Sequence, residues 1–221
     1  MTQTVEEMKK QDVLDHLIWD DSVNANDVHV KIENDTVKLE GTVPNFTAKI
    51  SAQRDAFRVK GVKNVENHLQ IKFPPRITIP TDEEITENIK NMLLWNSRIN
   101  SDSINVQTEK GVVTLSGIVN SFWEKYLALD IANSANGVTE VINTISVNPT
   151  KTVIDMDIER DIKNAFERSS LIDEDKIYVD VSGGVVHLIG AVSHYLIKDE
   201  AYDIAMYTAG VTNVVDDITI G

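Results

Sequence analysis

Val113-Thr114-Leu115-Ser116-Gly117-Ile118-Val119 alternates side chains to either side of a chain interrupted by one glycine. The same pattern stands at Val37-Lys38-Leu39-Glu40-Gly41-Thr42-Val43 and at Val186-His187-Leu188-Ile189-Gly190-Ala191-Val192. Period-two alternation is that of a half-buried strand, and its threefold recurrence marks an internal repeat. A second glycine follows each first one by 20 residues, in Gly61-Val62, Gly137-Val138 and Gly210-Val211, with a further valine at Val65, Val141 and Val214. Thirteen residues before each first glycine lie Val28-His29-Val30, Ile104-Asn105-Val106 and Ile177-Tyr178-Val179. The period is 76 residues and then 73, which is too long for a solenoid and about the size of a minimal domain. Three modules are expected, at 6–72, 82–148 and 155–221, leaning on one another because each alone is marginal in size.

Each repeat opens with a helical pattern. Ile85, Ile89, Met92 and Leu93 share one face, with Thr81 or Asp82 as N-cap. Val13 and Leu17 form the matching face in the first repeat, and Ile158, Ile162, Ala165 and Phe166 in the third. Two strands follow, joined at Glu33-Asn34-Asp35, Glu109-Lys110-Gly111 or Ser182-Gly183-Gly184, residues that tolerate a hairpin turn. Gly41, Gly117 and Gly190 predict a bulge or a close helix approach. A second helix carries Ala52/Ala56, Ala128/Ala132 and Ala201/Ala205, a stripe small enough to lie close on a sheet. It is expected to stop at Gly61, Gly137 or Gly210 as a C′ residue. The last strand is read at Val65–Ile71, Val141–Val147 and Val214–Ile220. The resulting α-β-β-α-β order predicts an α+β module, a three-stranded sheet with two helices packed on it. Proline-punctuated linkers lie at Lys72–Pro80 and from Asn148 to Lys151.

This pattern resembles the BON family (bacterial OsmY and nodulation), through the glycine-centred strand and the Gly-Val-x-x-Val before the last strand, over nearly the whole chain in three copies. The resemblance implies a non-enzymatic module of stress-induced and envelope proteins, proposed to bind phospholipid surfaces or to act as a periplasmic chaperone. It also implies an alternative, since one cytoplasmic relative senses potassium: an ion or small-ligand sensor. It supplies no catalytic residues and no cofactor. The chain is accordingly expected to be a transport-associated, osmotic-stress binding or scaffold protein with a phospholipid or protein partner.

Charge narrows the partners. The net charge is −14. Residues 1–72 hold 10 Lys/Arg against 12 Asp/Glu, residues 73–150 hold 5 against 9, and residues 151–221 hold 6 against 14. Such a field repels nucleic-acid phosphates, so no nucleic acid is expected, and an anionic membrane would need a local apolar or basic patch. No apolar run approaches the length of a membrane span. Zero cysteines remove disulfides and thiolate chemistry. The N-terminal MTQTVEEMKKQDVLDHLIWDD lacks an apolar h-region and a small-residue cleavage site, which predicts a cytoplasmic location, or a periplasmic one if a signal was removed.

No phosphate loop, dinucleotide fingerprint, zinc helix or nucleophile elbow occurs, so neither a catalytic nor a metal residue is assigned. Gly183-Gly184 precedes a strand rather than a helix and reads as a turn. His16, His29, His68, His187 and His194 fall at unrelated repeat positions. Asp173-Glu174-Asp175 lacks the rest of a calcium loop. The first helices of the first two repeats end in Ile18-Trp19 and Leu94-Trp95, where the third has Glu167-Arg168. Leu94 points about 180° from Ile85 at 100° per residue, off the core face. An exposed apolar cluster marks an interaction site, which makes these four residues the candidate contact patch. Packing between adjacent repeats is the favoured reading of them. Phe122-Trp123 poses the same choice, with Phe46-Thr47 and Tyr195-Leu196 as equivalents, and the recurring aromatic is read as core. Lys49, Lys125 and Lys198 recur on the second helix and are read as a solvated face in preference to an anion site.

Overall fold

A computed structural model describes residues 4–33 and 35–221; residues 1–3, at the start of the N-terminal stretch, and the turn residue Asn34 lie outside the described residues. The first module runs α1 (Val5–Trp19), β1 (Val28–Glu33), β2 (Thr36–Val43), α2 (Phe46–Arg58), β3 (Asn64–Asn67) and β4 (Gln70–Ile71). The second runs α3 (Asp82–Trp95), β5 (Ile104–Glu109), β6 (Val112–Val119), α4 (Phe122–Ser134), β7 (Glu140–Asn143) and β8 (Ser146–Val147). The third runs α5 (Asp155–Arg168), β9 (Ile177–Ser182), β10 (Val185–Val192), α6 (Tyr195–Tyr207) and β11 (Asn213–Ile220). The α-β-β-α-β order is as expected. The glycine-centred strand is the middle one in each sheet, antiparallel to the strand before it and parallel to the strand after it. Antiparallel neighbours need only a hairpin, whereas the parallel pairing requires the intervening helix as crossover.

Alternation buries one sheet face. Val30 pairs with Leu39, Val106 with Leu115 and Val179 with Leu188, all buried under the helices. Val13 and Leu17, Ile85, Ile89 and Leu93, and Ile158, Ile162 and Phe166 complete these cores together with the alanine stripes of the second helices. Met92, expected on the buried face, is exposed instead. Thr81 caps α3 in a capping box with Glu84, as Thr4 caps α1 with Glu7.

The two sets of glycines meet the expectation in part. A Cβ on Gly117 would lie 1.9 Å from the Ser103 carbonyl oxygen, and one on Gly41 or Gly190 would meet the carbonyls of Asp27 and Lys176 at 2.0 and 2.2 Å. The close approach is thus by the last residue of a one-turn 3-10 helix (Ala25–Asp27, Ser101–Ser103 or Glu174–Lys176) that leads into the neighbouring strand, in keeping with the expected helix approach. The second helices end three residues before Gly61, Gly137 and Gly210, and the turn from Ala135 to Val138, closed by Val138 N–H donating to the Ala135 carbonyl, places Gly137 at φ 89°. These glycines therefore serve tight turns into the last strand, where a positive φ is required.

The last strand is continuous only in the third module. In the first, Asn67 donates to the Lys49 carbonyl (2.8 Å) and accepts from Leu69 N–H (3.2 Å), which breaks the strand at His68-Leu69. Asn143 repeats this with Lys125 and Ile145. In the third module the equivalent residue is Asp216, whose carboxylate pairs with Lys198 at 3.1 Å. Lys198 is therefore engaged within its own module, which corrects the solvated-face reading for this one of the three lysines.

The modules meet through their second helices, α2 with α4, α4 with α6 and α6 with α2. The start of each lies on the end of the next. Phe46 packs on the second module's core, and Thr47 Oγ1 donates to the Asn133 carbonyl at 3.2 Å. Phe122, 6% exposed, belongs to the third module's core, with Trp123 beside it. Tyr195 stacks on Phe57 of the first module, ring centroids 5.0 Å apart. Equivalent residues thus make equivalent head-to-tail contacts, and the third contact returns to the first module. The recurring aromatic is buried in, or stacked on, the neighbouring module rather than its own.

Candidate functional site

The ends of α1 and α3 are built alike. Each helix points its last core residue inward, Leu17 or Leu93, and the next two positions rotate by about 100° each, away from the sheet. Ile18 and Leu94 are 67% and 62% exposed, and Trp19 and Trp95 are 85% and 82% exposed. None of the four lies at a contact between modules, which overturns the inter-repeat packing reading. The physical reason is the ring: the second helices make the inter-module contacts, leaving the C-terminal ends of the first helices free.

The surroundings of the two ends differ. Asp20 and Asp21 follow Trp19, and Ser22 N–H donates to the Asp20 carboxylate at 2.9 Å. Hydrogen bonding from Ser22 holds that carboxyl below its ordinary range. Next to Trp95 stand Asn96 and Arg98, and the Arg98 guanidinium lies 5.3 Å from the Trp123 ring centroid. Leu94 borders a shallow hollow of about 220 Å³ with Lys90, Asn91, Leu93, Ser101 and Ile104. The third module has Glu167 and Arg168 at these places, both exposed. The apolar ends therefore belong to two modules of three.

Among the described residues no group of three or more His, Asp or Glu is arranged to hold a metal ion, and no helix is long and apolar enough to cross a membrane. The six repeat glycines shape the backbone and line no site of this kind. The inter-module aromatics were visible in the sequence as a recurrence, but not their destination.

A family model described as BON domain matches residues 9–72, 81–149 and 154–221. The chain belongs to the BON domain family. As a BON protein it is non-enzymatic. It is 31% identical to osmotically-inducible protein Y of Escherichia coli over 143 residues, 62% of this chain and 71% of that protein. It is 34% identical to outer membrane lipoprotein DolP of Haemophilus influenzae over 112 residues, covering 49% of this chain and 56% of that one. A 21 kDa hemolysin of Actinobacillus pleuropneumoniae is 31% identical over 120 residues, 54% of this chain and 61% of the relative. The cytoplasmic location expected from the N-terminal sequence is corrected by these likenesses: relatives named for the outer membrane and for haemolysis argue against it. The expectation rested on the composition of one short stretch, which carries no information about the compartment in which the modules work.

Proposed function

We propose that this BON protein is a stress-associated scaffold that touches phospholipid surfaces through Ile18-Trp19 and Leu94-Trp95. The carrying observation is that two tryptophans at equivalent helix ends are more than four-fifths exposed, each beside an exposed aliphatic residue. An indole with one apolar side and one hydrogen-bonding edge suits the headgroup boundary of a bilayer. The osmotic-stress and outer-membrane names of the relatives support the setting. The net charge of −14 opposes anionic headgroups at long range, so the contact is apolar in origin and its preference for zwitterionic over anionic vesicles is greatest at low ionic strength. No observation favours ion sensing.

Vesicle flotation tests the reading. The wild-type chain is expected to float with phosphatidylcholine vesicles, and the double variant Trp19→Ala, Trp95→Ala to stay behind. Failure of the wild type to float on both zwitterionic and anionic vesicles removes the lipid contact and turns attention to a protein client.

A further inference from the structure

Among the described residues Asp55 is the one charged side chain in the buried core, at 4% exposure. Its equivalents in the sister modules are isoleucines, Ile131 buried in its core and Ile204 partly buried against its own. Asp55 stands on α2 where the end of α1 crosses it. Its Oδ1 lies 3.6 Å from Arg58 Nη1, and its Oδ2 has no hydrogen-bonding partner among the described residues. The carboxyl of Asp20, the residue after Trp19, is within hydrogen-bonding reach. A buried carboxylate oxygen without a donor is costly. A proton held between the two acids removes that cost, because one carboxyl then donates to the other.

We propose that Asp20 and Asp55 form a proton-dependent latch, which holds the end of α1 on α2 while one proton is shared and releases that end, Ile18 and Trp19 included, when both acids ionise.

Burial, then the hydrogen bond and charge of Asp20, push the Asp55 carboxyl up to about 6, against the opposing pull of Arg54 and Arg58. Asp20 moves the other way, so Asp55 carries the proton and Asp20 accepts it. The charged and titratable groups around the pair are Asp20 and, one turn back, His16 from α1, and Arg54 and Arg58 from α2. From α6, Tyr195 and Asp199 line the same groove as Arg54 and Arg58. The latched form binds the proton more tightly than the open form, where Asp55 returns towards its ordinary 3.8. Latching is thus complete below the ordinary carboxylate range and is lost as pH rises through about 6. The latch stands on its own geometry; only its consequence for membrane contact rests on the proposed lipid reading.

Hydrogen exchange on the full chain tests it. The Asp20 and Val23 amides donate to the His16 and Asp20 carbonyls and report on the helix end. After correction for intrinsic exchange, their protection is expected to fall about tenfold between pH 5 and pH 7.5. Asp55→Ile, the sister-module residue, and Asp55→Asn should make protection independent of pH, while His16→Gln, which removes the neighbouring imidazole, leaves the tenfold change in place. A wild type without the change, or an Asp55 variant that keeps it, overturns the latch. Flotation at the same two pH values separates the readings: pH-dependent exchange with no flotation at either pH overturns the lipid contact and supports the latch.

Discussion

Tyr195, at the start of α6, stacks on Phe57, near the end of α2, with rings 5.0 Å apart and inclined by 16°. The two residues are 138 positions apart in sequence, and their contact joins the last module to the first. Aromatic pairs of this kind contribute about 0.5–1.5 kcal/mol beyond the area they bury. Tyr195→Ala should destabilise by about 2 kcal/mol and open the ring, which X-ray scattering in solution reads as a larger radius of gyration. A Phe57→Ala, Tyr195→Ala double-mutant cycle should return a coupling of about 1 kcal/mol. No coupling would mean that the first and third modules do not touch in solution.

Gly117→Ala places a methyl group 1.9 Å from a carbonyl oxygen at a φ of 126°. Strain and displacement together should cost about 3–5 kcal/mol. Gly183→Ala, in a turn with nothing within 4 Å of the new Cβ, carries only the penalty of φ 59°, about 1–2 kcal/mol. Thermal melts of the two variants should separate by several degrees.

Asp82 and Asp155, at the first turns of α3 and α5, reach across to the hairpins. The Asp82 carboxylate accepts from Lys110 and Gly111 N–H at 2.7 and 2.9 Å, and Asp155 from Gly183 and Gly184 N–H at 2.8 and 2.9 Å. Asp82→Ala or Asp155→Ala should each cost about 1–2 kcal/mol by denaturant titration.

The first module ties its helix to its hairpin differently. Lys9, where the sisters have the buried Ile85 and Ile158, donates to Asp35 at 2.6 Å and to the Gly61 carbonyl at 2.7 Å. The hydrogen bond from Lys9 lowers the Asp35 carboxyl from its ordinary value. A carboxyl lowered by folding adds stability above the ordinary carboxylate range, and that stability is lost as pH falls through the folded value. Protection of the α1 amides near Lys9, corrected for intrinsic exchange, should therefore fall on strong acidification, and Asp35→Asn should abolish the response. A response unchanged in that variant would assign it elsewhere.

Trp19→Ala and Trp95→Ala remove side chains that the fold does not bury. Their unfolding free energies should stay within about 0.5 kcal/mol of wild type, checked by denaturant titration. A larger loss in either would return that tryptophan to a packing role.

The module was legible from the fixed offsets between glycines, β-branched runs and alanine stripes, because local periodicity and backbone need are written in neighbouring residues. Burial partners were not. Phe46, Phe122 and Tyr195 carry a clear signal of being inside something, yet periodicity cannot say which core receives them. For the same reason the sequence of Ile18-Trp19 and Leu94-Trp95 suggests a contact between repeats that the second helices make instead. Asp55 is hidden in the sequence because one acidic residue on an otherwise amphipathic helix looks like its solvated face. Only alignment with Ile131 and Ile204 places it inside. The break in the last strand at Asn67 and Asn143 depends on a side chain bonding a backbone carbonyl of the crossover helix, a contact that strand alternation cannot anticipate.

The head-to-tail contact has two unlike halves, and in a linear array each end would present one of them unused. Here the third module supplies the half that the first lacks, so every donor surface meets its acceptor within one chain. Growth by this contact is self-terminating at three. A chain shortened by one module would carry complementary sticky ends and the means to recruit copies of itself, whereas the triplet has spent that valence internally and must meet its partners by other surfaces.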